Sequence, residues 1–274
     1  MKKIMLSASI ILLAVYSFLV GAMYLKQDSM VFFPEREISQ TPQNIKLHYD
    51  DITFRTKDGF IISGWYIPIK DKLTTVIFCH GNAGNLSNFL EHMKTFNELQ
   101  FNVLAFDYRG FGKSEGSLSE EGTYLDAEAA WDFLVTEYKK DPQDIVVAGY
   151  SIGGAIATEL AVRKKVAALV VKSSFTSLPD LAQKYYPWLP VRLISKYAYA
   201  TVDKVDSISC PKLFIHSPDD EIVPFEHGKK LYKKASQPKD FLVIRGGHND
   251  GLFVSGRLYN EGLMQFFEKY NIVR

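Results

Sequence analysis

Apolar and polar positions divide the chain into three stretches. Residues 4–25 form a run of about 22 residues without a charge, long enough to cross a bilayer as a helix. Mixed sequence follows to residue 49, and from Asp50 onward short apolar runs alternate with longer amphipathic ones. Residues 52–56 and 60–67, on either side of Lys57-Asp58-Gly59, predict two antiparallel strands around a tight turn. Residues 75–80, 103–107, 145–148, 167–172, 212–216 and 241–245 predict further strands, most of them too uniformly apolar to have a wet face. Helical patterns fall at 86–99, 119–139, after Gly154, and at 225–234 and 256–270. Strands separated by helices imply an α/β domain, a mostly parallel sheet covered by helices on both faces.

One insertion breaks the alternation. Residues 173–209 separate two strands by far more than one helix needs, and they carry Phe175, Tyr185, Tyr186, Trp188, Tyr197 and Tyr199. Two readings stand. The stretch is an ordinary helical excursion with its aromatics packed down, or a small lid whose apolar underside lines a pocket at the carboxyl edge of the sheet.

The uncharged N-terminal run is either a membrane anchor or a cleaved signal peptide. Val20-Gly21-Ala22 loosely resembles a cleavage site, yet the run exceeds a typical signal core and Tyr24-Leu25 continue it, which favours a retained anchor. Lys2 and Lys3 would keep the amino terminus cytoplasmic and place the domain outside, a bias that Lys26 and Arg36 weaken. Met30-Val31-Phe32-Phe33-Pro34 reads equally as a segment covering the domain and as an interfacial segment seated on lipid. The expected organisation is residues 1–25 as anchor (or signal peptide), 26–49 as a membrane-proximal segment and 50–274 as the α/β domain with its lid at 173–209.

Composition narrows the function by exclusion. With 32 basic and 31 acidic residues the net charge is +1, so the chain lacks the basic surface that a nucleic-acid partner requires. Cys79 falls in one predicted strand and Cys210 just before another, and both read as unpaired packing residues that do not report the redox compartment. No His, Cys, Asp or Glu cluster has metal-ligand spacing, and no cofactor is expected. Asp107-Tyr108-Arg109-Gly110-Phe111-Gly112-Lys113-Ser114 lacks the phosphate-loop spacing and reads as a structural turn.

The chemistry centres on residues 144–158. Ile145-Val146-Val147-Ala148 leads into Gly149-Tyr150-Ser151-Ile152-Gly153, and helix-forming residues follow. G-x-S-x-G alone is a common chance pattern, but between a strand and a helix it is a nucleophile elbow that holds the Ser151 hydroxyl above the sheet. A serine hydroxyl needs a base, and the base needs an orienting acid, in the chain order serine, acid, histidine. His216 ends a strand and His227 lies within a helix. His248, in the flexible Gly246-Gly247-His248-Asn249-Asp250 after the last strand, is the expected base. The acid is expected in Pro218-Asp219-Asp220-Glu221-Ile222-Val223-Pro224, where spacing does not choose between Asp219 and Asp220. Oxyanion donors are expected from the backbone N–H of Ile152 and from the loop after His80, with Asn82 preferred and Ala83 next.

These stretches together resemble the α/β-hydrolase-fold serine hydrolases, and more closely the branch with a single N-terminal anchor that includes protein depalmitoylases. The resemblance rests on His80-Gly81-Asn82-Ala83-Gly84, Asp107 to Gly112, Gly149 to Gly154, Asp220-Glu221-Ile222-Val223-Pro224 and Gly247-His248-Asn249-Asp250. It covers the chain from about residue 52 onward, implies Asp220 as the acid, and places several strands between Cys79 and Cys210. Ser217 departs from the glycine usual there, at a strand end rather than in the triad. The activity implied is hydrolysis of an ester or thioester with an apolar acyl group through an acyl-enzyme. Its rivals are a serine peptidase of the same fold and a non-catalytic binding protein on the same scaffold. The expected partners are a small-molecule or lipid-like substrate and a membrane.

Overall fold

The computed structural model describes residues 2–273. Helix α1 (Lys2–Leu25) has no buried residue and is the one helix among the described residues long and apolar enough to cross a membrane. A short helix α2 (Gln27–Val31) follows, then the two-residue strand β1 (Phe33–Pro34). The hairpin β2 (Asp50–Arg55) and β3 (Ile61–Ile67) opens the main sheet. After it come β4 (Thr75–Cys79), the two-residue β5 (Ala83–Gly84), α3 (Leu90–Glu98), β6 (Asn102–Phe106), α4 (Glu120–Thr136), β7 (Ile145–Tyr150), α5 (Ile152–Arg163) and β8 (Ala168–Lys172). The insertion contains α6 (Leu178–Tyr185) and α7 (Val191–Ile194). The domain closes with β9 (Lys212–His216), α8 (Phe225–Lys234), β10 (Lys239–Val243), α9 (Gly251–Ser255) and α10 (Arg257–Lys269).

Eight strands form one sheet in the order β10-β9-β8-β7-β4-β6-β3-β2. The β2–β3 and β3–β6 pairings are antiparallel, so β3 alone runs against the rest of the sheet; every other pairing is parallel. Alternate side chains of each strand enter opposite cores. Ile77, Leu104, Val147, Leu169 and Phe214 pack with α4, α5 and α8. Val76, Phe78, Val103, Val146, Val170 and Ile215 pack with α3 and α10. This two-sided burial is why the central strands read as unbroken apolar runs. Cys79 and Cys210 are free, and β7 and β8 lie between the strands that carry or adjoin them.

The expected elements occur with shifted edges. The run at 86–99 begins as a 3₁₀ turn, Leu86–Phe89, where the Asn85 side chain accepts from Ser87 N at 2.9 Å, and only then becomes α3. The last strand pairs over 239–243, not 241–245, because β9 sets its register from Lys239 opposite Lys212. Its half-buried edge position admits Lys239 and Asp240, which an apolar pattern overlooks. Ser119 caps α4 by accepting from Gly122 N at 3.0 Å.

The aromatic residues of the insertion divide by burial. Phe175, Tyr197 and Tyr199 are buried, whereas Tyr185 and Trp188 are 47% and 51% exposed. The segment after α1 covers the domain: Phe32 is buried edge-on against Tyr197 at 5.1 Å, and β1 pairs in parallel with β5, in the loop after β4.

The turn at 107–114 is structural and closely braced. The buried Arg109 guanidinium bonds Asp126 of α4 at 2.8 Å and Asp58 of the β2–β3 turn at 2.8 Å. Asp126 is wholly buried while Asp58 is partly exposed, so the two pairs should differ in worth. Asp126→Ala should lower the unfolding free energy by about 3 kcal/mol, because it removes the wholly buried partner of a buried cation and leaves only the partly exposed one. Asp58→Ala should cost less than about 1 kcal/mol in the same urea titration. Equal losses would contradict this division.

Candidate active site

Ser151 stands between β7 and α5 with φ 57° and ψ −121°, a conformation that L-residues avoid unless the surroundings impose it. The neighbouring glycines make it reachable. A Cβ on Gly149 would lie 2.1 Å from the Gly153 carbonyl oxygen, and one on Gly153 would lie 2.1 Å from that of Cys79. Close packing of turn against helix, and of helix against β4, therefore excludes side chains at both positions. Ser151 N donates to Lys172 O at 2.9 Å, which ties the corner to β8.

Three loops at the carboxyl edge of the sheet converge on this hydroxyl. His248, after β10, places Nε2 3.0 Å from Ser151 Oγ. Its Nδ1 lies 2.9 and 3.1 Å from the two Asp220 oxygens. An ionised carboxylate only accepts, so Nδ1 carries the proton and Nε2 is left to accept from Ser151. Asp220, after β9, also accepts from Val223 N at 2.7 Å and Ile222 N at 3.1 Å. Its burial works against the charge, but bonds from His216, His248 and these amides outweigh it and hold the carboxyl well below the usual range. Asp219 is exposed and turned away, its N–H donating to Ser217 Oγ at 3.1 Å. The structure thus brings Ser151, His248 and Asp220 together and leaves Asp219 outside.

Sequence reasoning missed three residues that position this group. Tyr150 OH donates to His248 O at 2.8 Å, and the Glu221 carboxylate accepts from His248 N at 3.0 Å, so both fix the histidine loop. His216 Nε2 lies 2.9 Å from Val223 O and 3.4 Å from Asp220 Oδ2, behind the acid. Their signal was adjacency: Tyr150 precedes the serine, Glu221 follows the acid, and His216 ends the acid's strand.

Asn82 and Ile152 line the same cleft as Ser151 and His248. Ile152 opens α5, where main-chain N–H groups have no partner inside the helix. Asn82 lies just before β5, and its side-chain amide donates to Val31 O. Beneath this loop, His80 Nδ1 bonds Gly81 O at 2.6 Å and Tyr108 OH donates to His80 O at 3.0 Å. His80 Nε2 and Asp107 are 3.6 Å apart, yet they are not an ion pair. Burial pulls the imidazole down to about 4 and pushes the Asp107 carboxyl up to about 7, so both lean to their neutral forms.

The cleft holding Ser151 and His248 has a volume of about 340 Å³ and is walled by Val31, Phe33, Phe175, Leu178, Leu181 and Ile222. A larger cavity of about 460 Å³ lies beyond it, away from the serine, and shares Val31, Phe33, Asn82, Leu178, Leu181 and Ile222 with it. Among the described residues no cluster of three His, Cys, Asp or Glu side chains is arranged to hold a metal.

Fold and site together define an α/β hydrolase, with a serine, an acid and a histidine at the loop positions that this fold reserves for them. The chain belongs to the α/β hydrolase fold family, whose pattern matches residues 74–202. It is 35% identical over 244 residues to an uncharacterised protein of Mycobacterium tuberculosis, covering 88% of this chain and 87% of that one. It is 32% identical over 271 residues to the α/β hydrolase domain-containing protein WAV2 of Arabidopsis thaliana, covering 89% and 88%. Among solved structures, an esterase from Pyrococcus furiosus superposes with a TM-score of 0.72 at 26% identity, covering 87% of this chain and 97% of that one.

Lys172, at the end of β8, lies buried behind the site. Its Nζ is 3.2 Å from His92 Nε2 and 4.4 Å from the centre of the Tyr150 ring. Burial pulls its ammonium down to about 7, against the attraction of Asp220. An unfolded lysine titrates near 10.4, so between about pH 7 and 10 the unfolded chain binds more protons. This residue therefore makes stability rise with pH across that window. Lys172→Met should flatten the rise when unfolding free energies are compared at pH 7 and 10. An identical slope in both proteins would show that the lysine folds without losing its proton.

Proposed function

We propose that the protein is a serine hydrolase that cleaves a carboxylic ester or thioester with an apolar acyl group through an acyl-enzyme. The observation that carries this reading is the Ser151–His248–Asp220 line, with 3.0 Å and 2.9 Å contacts in a cleft of largely apolar walls. Ser151 Oγ attacks the acyl carbonyl carbon while its proton passes to His248 Nε2. Asp220 holds the imidazole in the required tautomer and stabilises the imidazolium that forms. The N–H groups of Ile152 and Asn82 receive the charge that develops on the carbonyl oxygen. The His248 proton then goes to the departing alkoxide or thiolate. Water, deprotonated by the same histidine, releases the acid and restores Ser151.

The anchored depalmitoylase branch is the best fit within the family, because α1 precedes a domain with an apolar cleft beside its serine. In this reading α1 is an uncleaved single-pass anchor, and Lys2 and Lys3 leave the hydrolase domain on the extracytoplasmic side. Protease added to right-side-out membrane vesicles should then digest the domain, whereas inside-out vesicles should protect it. The reverse pattern would refute the orientation, and a domain released into the soluble fraction would mark α1 as a signal peptide.

Ser151→Ala should abolish fluorophosphonate labelling and lower kcat on soluble acyl esters by about 10⁴-fold. Asp220→Asn should cost about as much, since an amide favours the wrong His248 tautomer. Asp219→Asn, at an exposed side chain, should have little effect. Full labelling of the Ser151 variant would place the chemistry elsewhere. Turnover of short peptide amides without esters would indicate a peptidase.

A further inference from the structure

The loop that follows β4 is laced from outside by the segment that precedes the hairpin β2–β3. Phe33 lies opposite Ala83 and Pro34 opposite Gly84. Glu35 N donates to Gly84 O at 2.9 Å, and Phe33 N reaches Asn82 O at 3.4 Å. From the loop side, the Asn85 amide donates to Glu35 O at 3.2 Å and Glu37 O at 2.6 Å, and Ser87 Oγ donates to Gln40 O at 2.9 Å. The segment is itself fixed to the body of the domain. Gly112 N donates to Glu35 O at 2.9 Å, Arg36 donates to Ser114 O at 2.6 Å, and Phe32 is buried against Tyr197 and Tyr199.

The contact nearest the nucleophile differs in kind. Asn82 Nδ2 donates to Val31 O, the carbonyl of the last residue of α2. The final carbonyls of a helix have no partner within it, so the Asn82 side chain closes the end of α2 and is held by it in return. Among the described residues Asn82 Oδ1 is buried and has no partner, which leaves the bond to Val31 to orient this side chain. The loop needs such a hold. Gly81 and Gly84 flank Asn82 and Ala83, and two glycines three residues apart leave a stretch pliable unless something outside it fixes its path. Oxyanion donors work only when they are held in place before charge develops.

We propose that residues 31–35 are a positioning strap for the oxyanion hole: by holding the Asn82 side chain and pairing with Ala83–Gly84, they set where the main-chain N–H of residue 82 stands relative to Ser151. The proposal rests on the serine hydrolase reading above. In it the catalytic unit begins near Val31, not at Asp50, and the segment expected only to sit beside the membrane serves the chemistry. Val31 and Phe33 also wall the Ser151 cleft, and the two roles leave different kinetic marks. A wall that merely packs on substrate acts on ground state and transition state alike, so its loss raises KM. A strap that aims oxyanion donors acts where charge has developed, so its loss lowers kcat.

The test uses the full-length protein, a soluble butanoyl ester and a propyl trifluoromethyl ketone. Ser151 Oγ adds to the ketone carbon, its proton passes to His248, and the adduct carries an oxyanion in place of the carbonyl. Asn82→Ala keeps the main-chain N–H of residue 82 and removes its tie to Val31. It should lower kcat at least about tenfold, leave KM within about twofold, and weaken ketone inhibition by the same factor as kcat. Glu35→Pro removes the N–H that pairs with Gly84 O and should show the same pattern. The double variant should lose less than the product of the two, because both act through one loop. Unchanged kcat in both variants, a loss confined to KM, or a kcat loss without weaker ketone inhibition overturns the strap. If thermal unfolding shows that Asn82→Ala does not fold, Glu35→Pro decides by the same readouts. An unsubstituted protein that neither labels with fluorophosphonate nor cleaves the ester sinks the serine hydrolase reading and the strap with it, an outcome no variant result can imitate.

Discussion

The strained corner at Ser151 is the constraint on which the rest depends. A serine at φ 57° persists only because β7, α5 and β4 approach too closely for any alternative. Gly149 meets the carbonyl of Gly153, and Gly153 meets those of Cys79 and His80. The contacts that press the serine upward therefore also place the β4 loop beside it, and that loop carries Asn82. The fully buried central strands supply the rigidity for this arrangement, since neither face can relax toward water.

The sheet was readable in the sequence because its strands are buried on both faces and so appear as unbroken apolar runs. The exception, β10, shows the rule at work. As a half-buried edge strand it takes its register from β9, information that no local pattern contains. The start of the helix expected at 119–139 was read to within a residue, and there Ser119 caps α4. Helix ends were missed where a 3₁₀ turn intervened at Leu86–Phe89 or where α9 forms inside a glycine-rich turn.

For the candidate site, chain order and turn chemistry pointed to Ser151 and His248, and the structure places them in contact. Spacing left Asp219 and Asp220 open, because adjacent residues in a turn differ in direction rather than in distance along the chain. Family resemblance pointed to Asp220, and the geometry places that residue against His248. Tyr150, Glu221 and His216 were missed for a different reason. Each acts by orienting another side chain or its loop across the fold, and the only mark this leaves in sequence is adjacency to the serine, the acid or the acid's strand.

The pairing of β1 with β5 sets a leash length. From the end of α1 at Leu25, the five-residue helix α2 advances the chain by about 8 Å. The few linking residues to Phe33 add about 10 Å at full extension. Phe33 then lies opposite Ala83 in the loop beside Ser151. With α1 held in a bilayer, Phe33 cannot rise more than about 20 Å above the surface. In the proposed reading, encounter with a membrane-borne substrate becomes a search in two dimensions, and the areal density of that substrate, rather than its bulk concentration, governs how often Ser151 meets it.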